Sequence, residues 1–389
     1  MPTLGIYFII FIWYYVYKGG GLTDSFKENT QFIEDIVDGM FDWVRVLDMN
    51  NNVIYMNKAM SDGLGKPMIG TKCYEILGRT KPCKNCATRK AVFDGTTHEK
   101  EEIINGKVFS VMCSPLRNAE NKIVAAVEVL RDTTQLKQLY NEMQKQNAKF
   151  KGELEMARKL QASLLPEPLT DNRLDFSMLY MPCDALGGDF LDIFKIDSSH
   201  FGLYIADVSG HGVPASILTV FLRSTLNKKL LSPAKALDEL HFEFNQSKLD
   251  EELYITIFYA ILDLDKRTML YSNAGLNVSP VVYSDKRFDL LRLPGIPISN
   301  WTEKPEYSDG SVSLQPGDKL FLYSDGILET RNENNEQYGE DRLLSILLND
   351  KSKTKQLLSS IKKSAFRFAG INSESDLQDD ITMALFEIK

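Results

Sequence analysis

The stretch 186–215 sets two aspartates at the ends of neighbouring strand-like runs, and this constrains the fold more tightly than any other part of the chain. Asp189 follows Gly187 and Gly188 and opens an alternating run, whereas Asp207 closes the apolar run 201–206 and enters a turn containing Gly210 and Gly212. Two more acidic turns lie far downstream. Tyr323, Ser324, Asp325 and Gly326 close the run 319–322, and Asp379, Asp380, Ile381 and Thr382 open the last run, which ends near Ile388. Carboxylates placed this way suit hard cations. Mg²⁺ and Mn²⁺ take oxygen donors from a few carboxylates plus waters, and two such ions about 3.5–4 Å apart can activate a water for in-line attack on phosphate.

Any one acidic turn is more often a solvated loop than a ligand. The four in order, with the lead-in Gln161, Ala162, Ser163, Leu164, Leu165, Pro166 and the trailing Glu329, Thr330, Arg331, resemble the PPM (type 2C) serine/threonine phosphatases. The likeness is to the bacterial branch of sporulation and stress-response sigma-factor regulators, and it covers roughly residues 155–389. It implies an αββα sandwich, two β-sheets flanked by helices. It further implies two Mn²⁺ or Mg²⁺ ions, with Asp207 bridging them, the Val208 carbonyl donating to one, and Asp189, Asp325 and Asp379 as terminal ligands. Either Asp379 or Asp380 of the last pair could face the ions. His211 could protonate the leaving seryl oxygen or hydrogen-bond the backbone. The implied substrate is a small regulatory phosphoprotein, such as a STAS-type anti-anti-sigma factor phosphorylated on serine or threonine. One departure stands out: the family often reads Asn-Ala-Gly-His-Asn where this chain has Asn273, Ala274, Gly275, Leu276, Asn277. No arginine is assigned to clamp the phosphate.

At 389 residues, 43% hydrophobic and 25% charged, the chain has room for two or three cored domains. A net charge of −8 with no basic run argues against a nucleic-acid partner. Five cysteines are too few for a disulfide framework. Residues 1–17 form an apolar, aromatic block followed by Lys18 and three glycines. At 1.5 Å per residue the block reaches roughly 25 Å against a bilayer core of about 30 Å, so crossing needs help from Trp13, Tyr14, Tyr15 and Tyr17 at the interface. Within the hydrophobic segment 1–21, residues 1–17 are expected to anchor a cytoplasmic catalytic domain to the inner face of the membrane, by a single pass or at the interface, the alternative being a start codon placed too early. The block has no charged leader or cleavage site of a signal peptide.

Between residues 22 and 132, two strands (43–48, 52–56), short helices, and three strands (98–104, 108–114, 123–130) joined in part by an Asn105-Gly106 turn resemble a PAS sensor domain. It carries Cys73, Cys83, Cys86 and Cys113. The Cys83-x-x-Cys86 pair suggests zinc, an iron–sulfur cluster or a redox pair, with His98 as a possible further ligand, against the alternative of small core residues capping a loop. Residues 133–165 read as one long helix in which Leu136, Met143, Phe150, Ala157 and Leu164 recur every seven residues, a parallel coiled-coil pattern that predicts a homodimer. Pro166 and Pro168 end it. In residues 166–389, strand runs interleave with paired helices at 213–230, 233–249, 340–348 and 355–368, the pattern of two sheets between helical layers.

Two functions fit: a sensor-controlled phosphatase, or a non-catalytic signalling scaffold that binds the regulator without hydrolysis. Retention of every acidic position favours the enzyme, because converging carboxylates repel one another without cations.

Overall fold

The structure is a computed structural model that describes residues 24–118, 120–167, 171–210, 212–373 and 376–389. The expected anchor at 1–21, His211 and Pro168 lie outside the described residues. Among the described residues no helix is long and apolar enough to cross a membrane. The chain divides into two compact units, Met1–Ala148 and Lys149–Lys389.

The first unit runs α1 (Asp24–Asp38), β1 (Trp43–Asp48), β2 (Val53–Met56), α2 (Lys58–Leu64), α3 (Ala87–Asp94), β3 (His98–Ile104), β4 (Lys107–Arg117) and β5 (Ile123–Asp132). The strands form one antiparallel five-stranded sheet in the order β2-β1-β5-β4-β3. Asn105 and Gly106 both have positive φ, 49° and 78°, the backbone a two-residue hairpin needs between β3 and β4. Asn57 caps α2 by accepting from the Met60 N–H at 3.1 Å, and its amide donates to the Val37 carbonyl, fixing α1 against the sheet. Leu47, Phe109, Val111 and Leu130 form the centre of this core. In its midst Arg45 and Glu128 face each other across β1 and β5, paired at 2.6 Å and almost fully buried.

α4 (Thr134–Ser163) is a single 30-residue helix, as the absence of proline predicts. Of the seven-residue series, Leu136, Met143 and Phe150 are exposed, and so are Leu139 and Leu160 beside it.

The second unit continues with β6 (Leu174–Met181), β7 (Asp189–Lys195), β8 (His200–Val208), α5 (Val213–Thr225), α6 (Pro233–Gln246), β9 (Tyr254–Asp263), β10 (Thr268–Ala274), β11 (Val281–Ser284) and β12 (Arg287–Leu290). It ends with β13 (Ile298–Ser299), β14 (Gly310–Ser313), β15 (Lys319–Tyr323), α7 (Gly326–Glu329), α8 (Glu340–Asn349), α9 (Thr354–Ala369) and β16 (Ile381–Ile388). One sheet has the order β14-β10-β9-β8-β7, with β13 added to β9, and the other β12-β11-β15-β16-β6. The alternation of side chains explains the layering. Along β8, Leu203 and Ile205 join the core shared by the two sheets, while Tyr204, Ala206 and Val208 point to the opposite face and pack with Leu218, Leu222, Leu237 and Leu240 of α5 and α6. Phe258, Ala260 and Leu262 of β9 divide in the same way from Ile257, Tyr259 and Ile261. Both faces of these strands are dry, and each fully buried large apolar side chain contributes roughly 1.5–3 kcal/mol of transfer free energy. On the far side Leu343, Leu347, Leu357 and Ile361 of α8 and α9 complete the sandwich. The expected αββα architecture is thus observed. β13 and β14 were not foreseen: one has two residues and the other reads Gly-Ser-Val-Ser, too little apolar alternation to register as strands.

Candidate metal centre

Asp189 and Asp207 are direct partners in the antiparallel ladder of β7 and β8, so the ladder itself brings the two acids together at one end of the sheet. The Asp207 carbonyl accepts from Thr256 Oγ1 of β9 at 2.9 Å. In the other sheet β15 and β16 pair with Tyr323 opposite Met383, which puts Asp325, just past β15, beside Asp379, just before β16. Ser324 locks this end: its N–H donates to the Thr382 carbonyl at 2.9 Å and its Oγ accepts from the Thr382 N–H at 3.0 Å.

The two consecutive aspartates separate in role. Asp380 accepts at Oδ1 from the Cys183 N–H (2.8 Å) and at Oδ2 from the N–H groups of Gly188 (2.6 Å) and Asp189 (3.1 Å). It ties the start of β16 to the turn that carries Asp189. Among the described residues Asp379 makes no such cross-sheet bond, and its Oδ1 accepts from the neighbouring Asp380 N–H at 2.8 Å. The approach requires bare backbone at two places. A side chain at Gly187 would sit 2.8 Å from Asp380 Oδ2, and one at Gly326 would run into the Asp380 carbonyl. A Cβ at Gly188 would lie 3.2 Å from the Val208 carbonyl, so that oxygen, too, faces the Asp189 turn.

The electrostatics are those of crowded acids. Burial pushes the Asp189 carboxyl well above the usual carboxylate range, and the charge of Asp207 adds to the effect. Asp207 is raised to about 7 by burial and then by Asp325 and Asp379. Asp379 is raised to about 6 by burial and by Asp325, against the hydrogen bond from the Asp380 N–H. Among the described residues Asp189 Oδ2 is buried without a close hydrogen-bond partner, while the Ser324 and Thr382 hydroxyls near this carboxyl partly offset its shift. Among the described residues no three His, Cys, Asp or Glu side chains draw close enough to enclose a single ion. The donor set nevertheless fits Mg²⁺ or Mn²⁺, since such ions keep several waters and take only one or two carboxylates each.

Two residues of the quoted motifs take roles that the sequence did not assign. Asn277 Nδ2 donates to Asp325 Oδ2 at 2.8 Å, fixing that carboxylate from the loop in which the motif departs from the family pattern. Gln161 of α4 pairs with the backbone of Gly187 in both directions, its Nε2 donating to the carbonyl at 2.8 Å and its Oε1 accepting from the N–H at 3.1 Å. The retained Asn277 within the altered motif was the only available signal for the first.

The sensor cysteines are a correction. Cys73 and Cys113 are core residues, the Cys73 thiol pushed up to about 11 by burial and the Cys113 thiol pushed up further by burial and Glu128. Cys83 Sγ accepts from Arg79 at 2.9 Å, and His98 pairs with Asp94 at 3.0 Å. The residues proposed for zinc or an iron–sulfur cluster therefore do not form a ligand set among the described residues.

The family model described as stage II sporulation protein E (SpoIIE) matches residues 197–389, and a PAS fold model matches residues 37–138. The second unit carries a SpoIIE-type domain of the PPM phosphatase family. Over 187 residues the chain is 31% identical to the phosphoserine phosphatase RsbP of Bacillus subtilis (strain 168), covering 46% of this chain and 46% of RsbP. It is 29% identical over 191 residues to the phosphoserine phosphatase RsbU of the same organism, covering 48% of this chain and 56% of RsbU. The matched stretch thus spans about half the length of these curated relatives. The SpoIIE-type domain also shares the fold of the SiaA-PP2C domain of Pseudomonas aeruginosa, with a TM-score of 0.55 and 22% identity over 62% of this chain and 98% of that one.

Proposed function

We propose that the chain is a metal-dependent phosphatase acting on phosphoserine or phosphothreonine in a regulatory protein, under control of its PAS domain. The observation that carries this is the direct pairing of Asp189, itself buried, with Asp207 at one end of the β7–β8 ladder. Asp189, Asp207, Asp325, Asp379 and the Val208 carbonyl would hold two Mn²⁺ or Mg²⁺ ions. Such ions supply a water acidic enough to attack phosphorus near neutral pH and neutralise charge on the phosphoryl oxygens. The rest is done by this chain. Asn277 holds Asp325 in orientation, Asp380 fixes the turn bearing Asp189, and His211 protonates the leaving seryl oxygen.

The names of RsbP and RsbU support a phosphoserine substrate, and the partner proposed from the motif resemblance is a STAS-type anti-anti-sigma factor. The exposed series Leu136, Met143 and Phe150 supports a homodimer through α4, and residues 1–17 would contact the membrane. A scaffold without hydrolysis has no need to bury Asp207 among Asp325, Asp379 and Asp380, where burial first and then their charges raise it to about 7. The test is hydrolysis of p-nitrophenyl phosphate by the purified chain. Turnover that requires Mn²⁺ or Mg²⁺ and disappears in Asp207→Asn supports the reading, and no turnover with either metal refutes it.

A further inference from the structure

Beside Asp379 the second unit opens a cleft of about 410 Å³, between α7 with the residues after it and the turn that follows α9. Ala369, Ile371 and Leu377 give it an apolar wall, and Glu329, Arg331 and Gln378 stand at its polar rim. Hydrolysis of a small phosphate ester at the aspartates needs nothing from this space. The cleft nonetheless shares Asp379 with them, so a phosphorylated residue seated there would carry its neighbours in the chain into it.

Arg331 is the cationic residue of this lining. Its Nη1 donates to the Asn335 carbonyl at 3.0 Å, and its backbone bridges to Gln337. The intervening turn is itself held: Asn332 Oδ1 accepts from the N–H groups of Asn334 and Glu336, both at 3.0 Å. The guanidinium is therefore positioned by one bond, while a guanidinium has five N–H donors to offer. Glu329 decides what can come near. With Asp376 it makes the lining acidic, so an acidic neighbour in the substrate would be unwelcome, whereas an apolar side chain meets Ile371 and Leu377. A cleft of this size holds one or two residues, within the range usual for small ligands.

We infer that this cleft is the subsite for the polypeptide flanking the phosphorylated residue, taking an apolar neighbour against Ile371 and Leu377 while Arg331 donates to a main-chain carbonyl of the substrate. This rests on the phosphatase reading above. The experiment uses the full chain with Mn²⁺ and three probes: p-nitrophenyl phosphate, a phosphoserine heptapeptide with leucine on both sides of the phosphoserine, and the same peptide with aspartate there. The leucine peptide should exceed the aspartate peptide in kcat/KM by about tenfold, the scale on which hydrophobic pockets discriminate. Arg331→Ala should lower the ratio of leucine-peptide to p-nitrophenyl phosphate kcat/KM by about tenfold, through KM. Ile371→Asp should erase the preference for leucine. Equal kcat/KM for the two peptides, a ratio left intact in Arg331→Ala, or an equal loss on peptide and p-nitrophenyl phosphate each overturns the subsite. Failure of the wild type on all three probes, with either metal, instead refutes the phosphatase reading on which it rests.

Discussion

Asp380 accepts a hydrogen bond from the backbone N–H of Asp189 at 3.1 Å, a bond that crosses from one sheet of the SpoIIE-type domain to the other. With the bonds from Gly188 and Cys183 it commits both carboxylate oxygens to the scaffold, while Asp379, one residue earlier, is left to face Asp325. Adjacent residues of the same type therefore have separable effects. Asp380→Ala leaves three backbone N–H groups without an acceptor, each costing about 1–3 kcal/mol when buried. Its Tm should fall by roughly 5–10 °C. Asp379→Asn should show a Tm in EDTA no lower than wild type, and higher above about pH 6, while losing at least about tenfold in Mn²⁺-dependent turnover, and thermal melts beside p-nitrophenyl phosphate assays distinguish the two.

The crowded acids also predict how stability varies with pH. Asp207 and Asp379 are held to about 7 and about 6, against an ordinary 3.8. Between these limits the folded metal-free protein binds more protons than the unfolded chain, so its stability falls as pH rises through that window. The Tm of EDTA-treated protein should drop between about pH 5 and pH 8, and added Mn²⁺ should restore more at the higher pH. In Asp207→Asn the slope should become shallower, since one of the raised carboxyls no longer ionises. A metal-free Tm that climbs over the same range would contradict this account.

Much of this was legible because it is written in local pattern. The dry strands β8 and β9 read as unbroken apolar runs, the Asn105-Gly106 turn announces its hairpin, and each acid sits beside a glycine or at a strand end. What was hidden depends on contacts between distant segments. Nothing in Asp379-Asp380 says which carboxylate turns to the Gly188 backbone, nor that Asn277 reaches Asp325 across 48 residues. The cysteines misled for a related reason: the Cys83-x-x-Cys86 spacing resembles a ligand pair, and the sequence offered core burial of Cys73 and Cys113 only as an alternative, with nothing local to decide for it.

Gln161 is the one buried residue of α4, and its two bonds to Gly187 stand two residues from Asp189. The end of the long helix thus grips the turn that aims a candidate ligand. Gln161→Leu removes the grip while keeping an apolar-compatible volume. The Mn²⁺ concentration for half-maximal turnover should rise by about tenfold, the scale on which residues supporting metal ligands act. An unchanged metal titration would show that this contact is structural only.

Phe150 tests whether α4 works as a pair. Leu136, Met143 and Phe150 are 69%, 57% and 57% exposed, and Leu139 and Leu160 beside the series are 64% and 63% exposed. So much apolar surface on one 30-residue helix is unusual unless something covers it, and a helix this long has few neighbours of its own. Seven-residue recurrence suits a second copy of the same helix, side chain against side chain in a parallel coil. Phe150 lies at the middle of the series. Phe150→Glu would set two like charges against each other in the seam and remove an aromatic contact, at a cost of several kcal/mol to the pair. The dimer dissociation constant should rise by at least about a hundredfold, a 2.7 kcal/mol change, as read by sedimentation equilibrium. The metal dependence of p-nitrophenyl phosphate hydrolysis should survive, because no aspartate of the centre is altered. If the variant sediments as the wild type does, the seam does not pair two copies, and whatever passes from the sensor to Gln161 travels within a single chain.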